Sequence, residues 1–315
     1  MTTPTGRDVH VDGLLTNISI AYINDNYIAD QVFPIVPVMN RSGIVPKYDQ
    51  SHWFRNLAAL RAPGTASMRG GYKVDVTDTY YANRYSFGKE IADEDRDNTD
   101  SPFNLDRDAA EFCTDKIQMA KEIAFASAFF TTGVWGTDGT IGTGWDTYAS
   151  TDPMKQIDGW NDTVQGKIAR RPNTFVMGRQ VWTALKWHPD VVGIIQYVRE
   201  AIATPQLLAR AMDFDRVLIG DAIYTTTAEG TAETSVSYTR AWGKHTLLLY
   251  VPPRPSLMNP AAGYTFTWNR VPNSIRYVVR HRDAEREVDI IEANTYFDQK
   301  LTAKNAGHFT SSCVS

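Results

Sequence analysis

The stretch SPFNLDRDAAEFCTDKIQMAKEIAFASAFFTTG, residues 101–133, carries the most regular pattern in the chain. Ser101 is a good N-cap, and Pro102 suits the first helical position, where its missing N–H would have no partner anyway. Asp97 and Asp100 lie just upstream, on the side where a helix dipole favours negative charge. Leu105, Ala109, Phe112, Ile117, Ala120 and Ala124 recur at three- to five-residue intervals, which predicts one apolar face with Phe112 buried in it. Gly133 is the expected stop. A helix over 102–132 would run about 45 Å at 1.5 Å per residue, the proportions of a strut laid across a sheet.

Upstream of it, residues 1–48 form no long periodic segment. Short apolar pieces, Ile18 to Ile28 and Val32 to Val38, are broken by Pro34, Pro37 and Pro46, which block helix continuation. An extended arm, packed on its own body or on a neighbour, is the natural reading. Trp53, Phe54, Leu57 and Leu60 recur at helical spacing over one or two turns. A soft stretch, Ala62 to Gly71, separates them from a strand pattern at Tyr72, Val74 and Val76 and from a second strand over about Tyr80–Ile91. Residues 49–91 thus read as a long two-stranded excursion. Ordering about 40 residues costs on the order of 1–2 kcal/mol each in backbone entropy, and an isolated ribbon is marginal in water. Another surface must supply the missing burial. Trp53, Phe54, Arg55, Arg61, Arg69 and Lys73 are the candidate inter-subunit contacts, because aromatics and arginine are the residue types enriched at interfaces.

Downstream, helices are expected at about Trp160–Arg170, Arg179–Trp187 and Pro205–Met212. Buried strands are expected at Thr174–Met177, Val217–Gly220 and Thr246–Val251, which makes the stretch from about 160 to 260 a compact α/β lobe after a glycine-rich loop region over 133–159. The tail returns to strands at Tyr264–Trp268, Ile275–Arg282 and Glu287–Tyr296, with Lys300–Phe309 as partner or continuation of the last.

The chain has 315 residues, 43% of them hydrophobic and 22% charged, so one large multi-lobed domain or two intertwined ones are expected. A net charge of −4 argues against a surface that grips nucleic acid by neutralising phosphates. It does not exclude a container that holds DNA loosely, since a mildly acidic inner wall would avoid sticking to its contents. Two cysteines, Cys113 and Cys313, are too few for a disulfide framework, and Cys113 reads as a small buried hydrophobe. No apolar run is long enough to span a membrane.

The chemistry-bearing motifs fail one by one. Gly136 to Gly144 is glycine-rich but follows a helix and ends without Lys-Ser/Thr, so it reads as a flexible connection, not a phosphate cradle. Gly243-Lys244-His245-Thr246 lacks the first glycine of a Walker loop. Asp93 to Asp97 alternates carboxylates as a calcium loop does, but Asn98 and Asn104 stand where that loop needs Gly and Glu. His281-Arg282-Asp283 has Val288 where a kinase loop needs Asn. The run His281–Glu287 reads as a solvated or salt-bridged surface, with an inter-subunit contact as the alternative. The six histidines are scattered. No catalytic residue, cofactor site or metal site is expected, and the chain does not read as an enzyme.

The order of these parts resembles the major capsid protein of tailed bacteriophages with the Hong Kong 97-type capsid fold, along essentially the whole chain. The arm resembles 1–48, including Tyr27-Ile28-Ala29-Asp30-Gln31-Val32-Phe33-Pro34-Ile35-Val36-Pro37-Val38. The extended loop resembles 49–91, the spine helix Pro102–Thr132, and the final strands Asp289–Ser315. The resemblance implies an α+β fold: arm, extended loop, a peripheral domain with spine helix over 92–135, an axial α/β domain over 136–260, and return strands over 261–315. It also implies a virion protein, assembled in the host cytoplasm into pentamers and hexamers of an icosahedral shell around double-stranded DNA. Implied partners are other copies of the chain, a portal protein and, as an optional addition, a decoration protein. No charged helical segment precedes Asp12, so a separate scaffolding protein and a subunit that keeps its N-terminus are expected. Gly70-Gly71 and Gly133 to Gly144 are the joints expected to let one chain fit five- and six-fold positions. Two rivals share parts of this reading. One is an encapsulin-like nanocompartment shell; the other is a hydrolase with a site in residues 160–260, whose mark would be a histidine brought against a carboxylate.

Overall fold

The computed structural model describes residues 27–48, 50–99, 104–195, 204–255, 261–269 and 275–315. Most of the arm, together with Ser101 and Pro102, lies outside the described residues. Two five-stranded sheets organise the rest. In chain order the main elements are β1 (Ile35–Val38), β2 (Asn83–Ala92), α1 (Leu105–Phe129), β3 (Thr137–Thr140) and α2 (Pro153–Ile168). They continue with β4 (Thr174–Gly178), α3 (Arg179–Lys186), α4 (Pro189–Ile195), α5 (Pro205–Ala211) and β5 (Arg216–Gly220). The last are β6 (Thr246–Leu249), β7 (Gly263–Trp268), β8 (Arg276–Asp283), β9 (Val288–Leu301) and β10 (Gly307–Ser311).

The first sheet is built on β9, which runs 14 residues. It pairs antiparallel with β2 from Val288↔Ala92 to Phe297↔Asn83, with β8, and with β7. β1 adds to β7 in parallel. Helix α1 lies on this sheet through small residues that let backbones approach. Ala109, Cys113 and Ile117 pack on Ile91, Ile291 and Ala293, and the Cys113 thiol sits 3.5 Å from the Ile291 carbonyl. The thiol is buried, which pushes its pKa up.

Helix α1 starts later than the sequence suggests. Asn104 is its N-cap, accepting a hydrogen bond from the Arg107 N–H at 3.1 Å. Its buried stripe runs Ala109, Cys113, Ile117 and then Glu122, Phe125, Ala126, Phe129. Phe112 and Ala120 are exposed, against expectation. Successive residues turn by about 100° around a 3.6-residue helix, so a spacing rule that tolerates five-residue steps drifts off the buried stripe. Phe112 sits at the rim, edge-on to Phe87, with the Lys89 and Lys116 ammonium groups over its ring.

The second sheet has the order β3-β10-β6-β4-β5. Its central strand β6 is buried throughout and pairs antiparallel with β10 and β4. Two expectations are corrected here. The glycine-rich segment read as a flexible connection forms strand β3, parallel to β10. Gly136 and Gly144 serve close approach: a Cβ on Gly136 would lie 2.3 Å from Asn305 Oδ1, and one on Gly144 2.3 Å from Asp146 Oδ1. The segment expected to partner or continue the long strand instead leaves the first sheet after Leu301, makes a short turn at Lys304–Ala306, and enters the second sheet as β10.

The largest core joins the arm, the end of α1 and the second sheet. Phe33 is its pivot, with ring centroids 4.8 Å from Phe125 and 5.0 Å from Phe129. Gly263 leaves room for that ring, since a Cβ there would meet it at 2.4 Å. The arm from Ile28 to Phe33 therefore packs on its own body.

Candidate subunit-contact surface

Between β1 and β2 the chain makes the expected excursion, but its ladder begins inside the arm. Ser42–Ile44 pairs with Thr79–Tyr81, and Lys47–Tyr48 pairs with Val74–Asp75. The root is anchored to the first sheet. Tyr80 stacks on Phe266 at 4.7 Å, and the Tyr81 N–H donates to Asp298 at 2.9 Å. The Arg41 guanidinium lies over the rings of Tyr81 and Tyr296.

Beyond the ladder the character changes. One helical turn, Gln50–Trp53, is followed by residues 54–73 with no regular structure. Trp53, Phe54, Arg55, Arg61, Arg69 and Lys73 are all exposed. So are Leu57, Leu60, Met68 and Tyr72, with Leu60 104% and Met68 70% accessible. Trp53 and Tyr72 meet at 5.8 Å between ring centroids, which ties the two legs together. Arg61 donates to the Thr65 carbonyl across a turn where Gly64 takes a left-handed φ of +84°. These large apolar side chains stand in water, with Arg55, Arg61 and Arg69 interspersed among them in the chain.

The charged run, at the end of β2 away from this excursion, is satisfied within the chain. Asp289 receives Arg96 at 2.6 Å and also Arg280; Arg96 reaches Asp106 at 2.7 Å. The Arg280 and Arg96 guanidinium groups hold the Asp289 carboxyl down to about 2. Arg282 grips Asp93 with both Nη atoms, and Arg286 grips Glu90 at 2.9 Å. The acidic stretch Asp93–Asp97 is a short helix feeding this network. Among the described residues no cluster of His, Cys, Asp or Glu could hold a metal ion, and no helix is long and apolar enough to cross a membrane.

Glu122 is the residue that sequence reasoning missed. It is 1% exposed and fastens three elements. Its Oε1 accepts from the Ile28 N–H at 3.0 Å and the Trp242 indole N–H at 2.7 Å, and its Oε2 accepts from the Ala29 N–H at 2.8 Å. Burial pushes its pKa up, and the three donors pull it back. Tyr27 to Asp115 at 2.7 Å and the ion pair Lys121–Asp30 dock the same part of the arm on the same helix. A glutamate inside an alanine-rich apolar run was the only signal.

The hydrolase reading asks for a histidine against a carboxylate, and the second lobe has one. His188 is buried, its Nδ1 lies 3.4 Å from Asp190 and its Nε2 lies 3.1 Å from Thr151 Oγ1. The Asp190 backbone N–H donates to Nδ1 at 3.3 Å, and the Thr151 hydroxyl donates to the Thr147 carbonyl at 3.0 Å, so both side chains are engaged with the backbone around them. The chain of bonds ties down the loop before α2.

No family model matches the sequence. Curated relatives do. The chain is 26% identical over 312 residues to the major capsid protein of Burkholderia phage BcepMu, covering 96% of each. It is 28% identical over 263 residues to the major capsid protein of Pseudomonas phage JBD67, covering 81% of each. Among solved structures it resembles a phage-related protein from Bordetella bronchiseptica RB50, with TM-score 0.69, 20% identity and coverage of 96% and 97%. The capsid of cyanophage P-SCSP1u follows with TM-score 0.62, 10% identity and 98% coverage of both chains. The SrpI encapsulin of Synechococcus elongatus PCC 7942 is a weaker likeness, with TM-score 0.52, 10% identity and coverage of 95% and 94%. The solved structures that share this fold include phage capsid and encapsulin shell subunits. Within that class, the sequence relatives are the major capsid proteins of bacteriophages.

Proposed function

We propose that this chain is the major capsid (head) protein of a tailed bacteriophage, a structural subunit of the virion. Copies associate as pentamers and hexamers of an icosahedral shell that encloses double-stranded DNA, with assembly in the host cytoplasm. A separate scaffolding protein, a portal protein and an optional decoration protein are the expected partners. The first sheet with α1 is the peripheral domain, and the second sheet with its helices is the axial domain. The excursion with Trp53, Phe54, Arg55, Arg61, Arg69 and Lys73 is the extended loop that lies over a neighbour, an arrangement that closes head-to-tail into rings. The observation that carries this reading is the likeness to a phage major capsid protein along 96% of both chains. Sequence relatives favour the phage over the encapsulin-like shell, which shares the fold.

Electron microscopy of the purified chain, with its scaffolding partner, tests it. Closed shells are expected, and W53A/R55A/R61A should give a folded subunit that assembles poorly. A wild-type chain that stays monomeric overturns the shell reading. Normal shells from the triple variant overturn the role of the loop.

A further inference from the structure

A second feature of the lobe bears on none of this. His308, the second residue of β10, is 5% exposed and lies between α2 and the sheet. Its ring stacks on Trp160 of α2 at 5.1 Å and 22°. On the sheet side it stands beside Thr137 of β3 and Leu248 of β6. Gly139 leaves space there: a Cβ on it would lie 3.2 Å from His308 Nε2 and 3.4 Å from Thr310 Oγ1. Neither ring nitrogen has a hydrogen-bond partner, and the same holds for Thr310 Oγ1, Thr137 Oγ1 and both amide atoms of buried Asn161, the residue after Trp160. Buried polar atoms without partners are uncommon, and those of His308, Thr137 and Thr310 occupy neighbouring positions on β10 and β3, a place where the fold holds poorly matched groups. Two charged groups face the imidazole, Asp138 from β3 and Lys167 from α2. Strand β6, Thr246–Leu249, contributes none. His245 packs on the opposite face against Phe309, with its Nδ1 accepting from the Ser312 N–H at 3.1 Å.

We propose that His308 is an acid sensor built into this lobe, whose protonation loosens β10 from β3 and from α2 while the first sheet stays closed. Protonation puts a cation between an indole face and a sheet with no acceptor bonded to either nitrogen; Asp138 favours that cation and Lys167 opposes it, and burial outweighs both. Burial already holds the imidazole down to about 4. The neutral form is therefore the one that fits. The stability it contributes is complete above the ordinary histidine value near 6.5 and is lost as pH falls from there to about 4. β10 is the element that responds, because it carries His308 and has the short strand β3 on one side.

Hydrogen exchange on the full chain between pH 7 and pH 4 tests this, with rates expressed as protection factors so that the intrinsic pH dependence cancels. Protection of Phe309–Ser311 should fall at least tenfold over that range, while the β9 amides Ile290–Tyr296 keep theirs within twofold. H308F keeps the aromatic stack and removes the proton site, so its β10 protection should stay flat. H308L repeats the test if the phenylalanine packs badly, and H245Q should respond as wild type does. Flat protection in wild type overturns the proposal. So does an undiminished fall in both His308 variants, or a fall that H245Q abolishes.

Discussion

Replacing Glu122 tests whether one carboxylate joins the arm, the long helix and the second lobe. Three buried donors converge on it: the Ile28 and Ala29 backbone N–H groups and the Trp242 indole. Leaving a buried donor unpaired costs about 1–3 kcal/mol, so Glu122→Leu strips roughly 3–9 kcal/mol of gross interaction. Removing a buried charge returns part of that, since an ionised carboxylate is expensive to bury. A net loss of about 3 kcal/mol is expected, a large share of the ~5–15 kcal/mol that holds a domain folded. Glu122→Gln separates the two terms. Its amide oxygen can still serve Ile28 and Trp242 in the place of Oε1, while its amide nitrogen faces the Ala29 donor in the place of Oε2. Only one bond is then lost, and about 1–2 kcal/mol should go with it. Denaturant unfolding of the isolated subunit, followed by tryptophan fluorescence, measures both. Limited proteolysis should cut first near Tyr27–Phe33 in the leucine variant. A leucine variant within about 0.5 kcal/mol of wild type, or one more stable than the glutamine variant, would refute the reasoning.

Two further substitutions separate surface from core. Phe112→Ala should cost only about 1 kcal/mol, well under the ~3–5 kcal/mol of a buried phenylalanine, because the ring lies at the rim under Lys89 and Lys116; a thermal melt decides, and an insoluble variant would put the ring in the core. Asp289→Asn should lower stability at neutral pH and flatten its acid dependence. The native carboxyl is held to about 2, below its ordinary 3.8, so its contribution is complete above about pH 4 and is lost as pH falls toward 2. Parallel curves for wild type and variant over that window would count against the network.

What could be read in advance follows a physical line. Local periodicity carried the elements: Tyr264–Trp268 alternates and is β7, and Val217–Gly220 falls within β5. Composition carried the excursion, since Trp53, Phe54 and the arginines lacked a core of their own and are exposed. Pairing was not readable. Nothing local to Gly307–Ser311 says that it lies beside Thr246–Leu249 and not beside the long strand, because strand partners are chosen by packing across distant segments. The ladder of Ser42–Tyr48 with Val74–Tyr81 was hidden for the same reason. Glu122 was hidden because a lone acidic residue in a helix is ordinarily solvated, and its three donors come from residues far off in the chain.

The position of β9 and β10 has a consequence for synthesis. The strand on which the first sheet is built starts at Val288, and the second sheet lacks the neighbour of β3 until Gly307–Ser311 has emerged. A ribosome that has made four-fifths of the polypeptide therefore holds the helices and the three paired strands β6, β4 and β5, but neither sheet complete. Non-local pairing of this sort is slow to form. The excursion, whose ladder closes within residues 42–81, is thus complete long before the sheet that anchors its root.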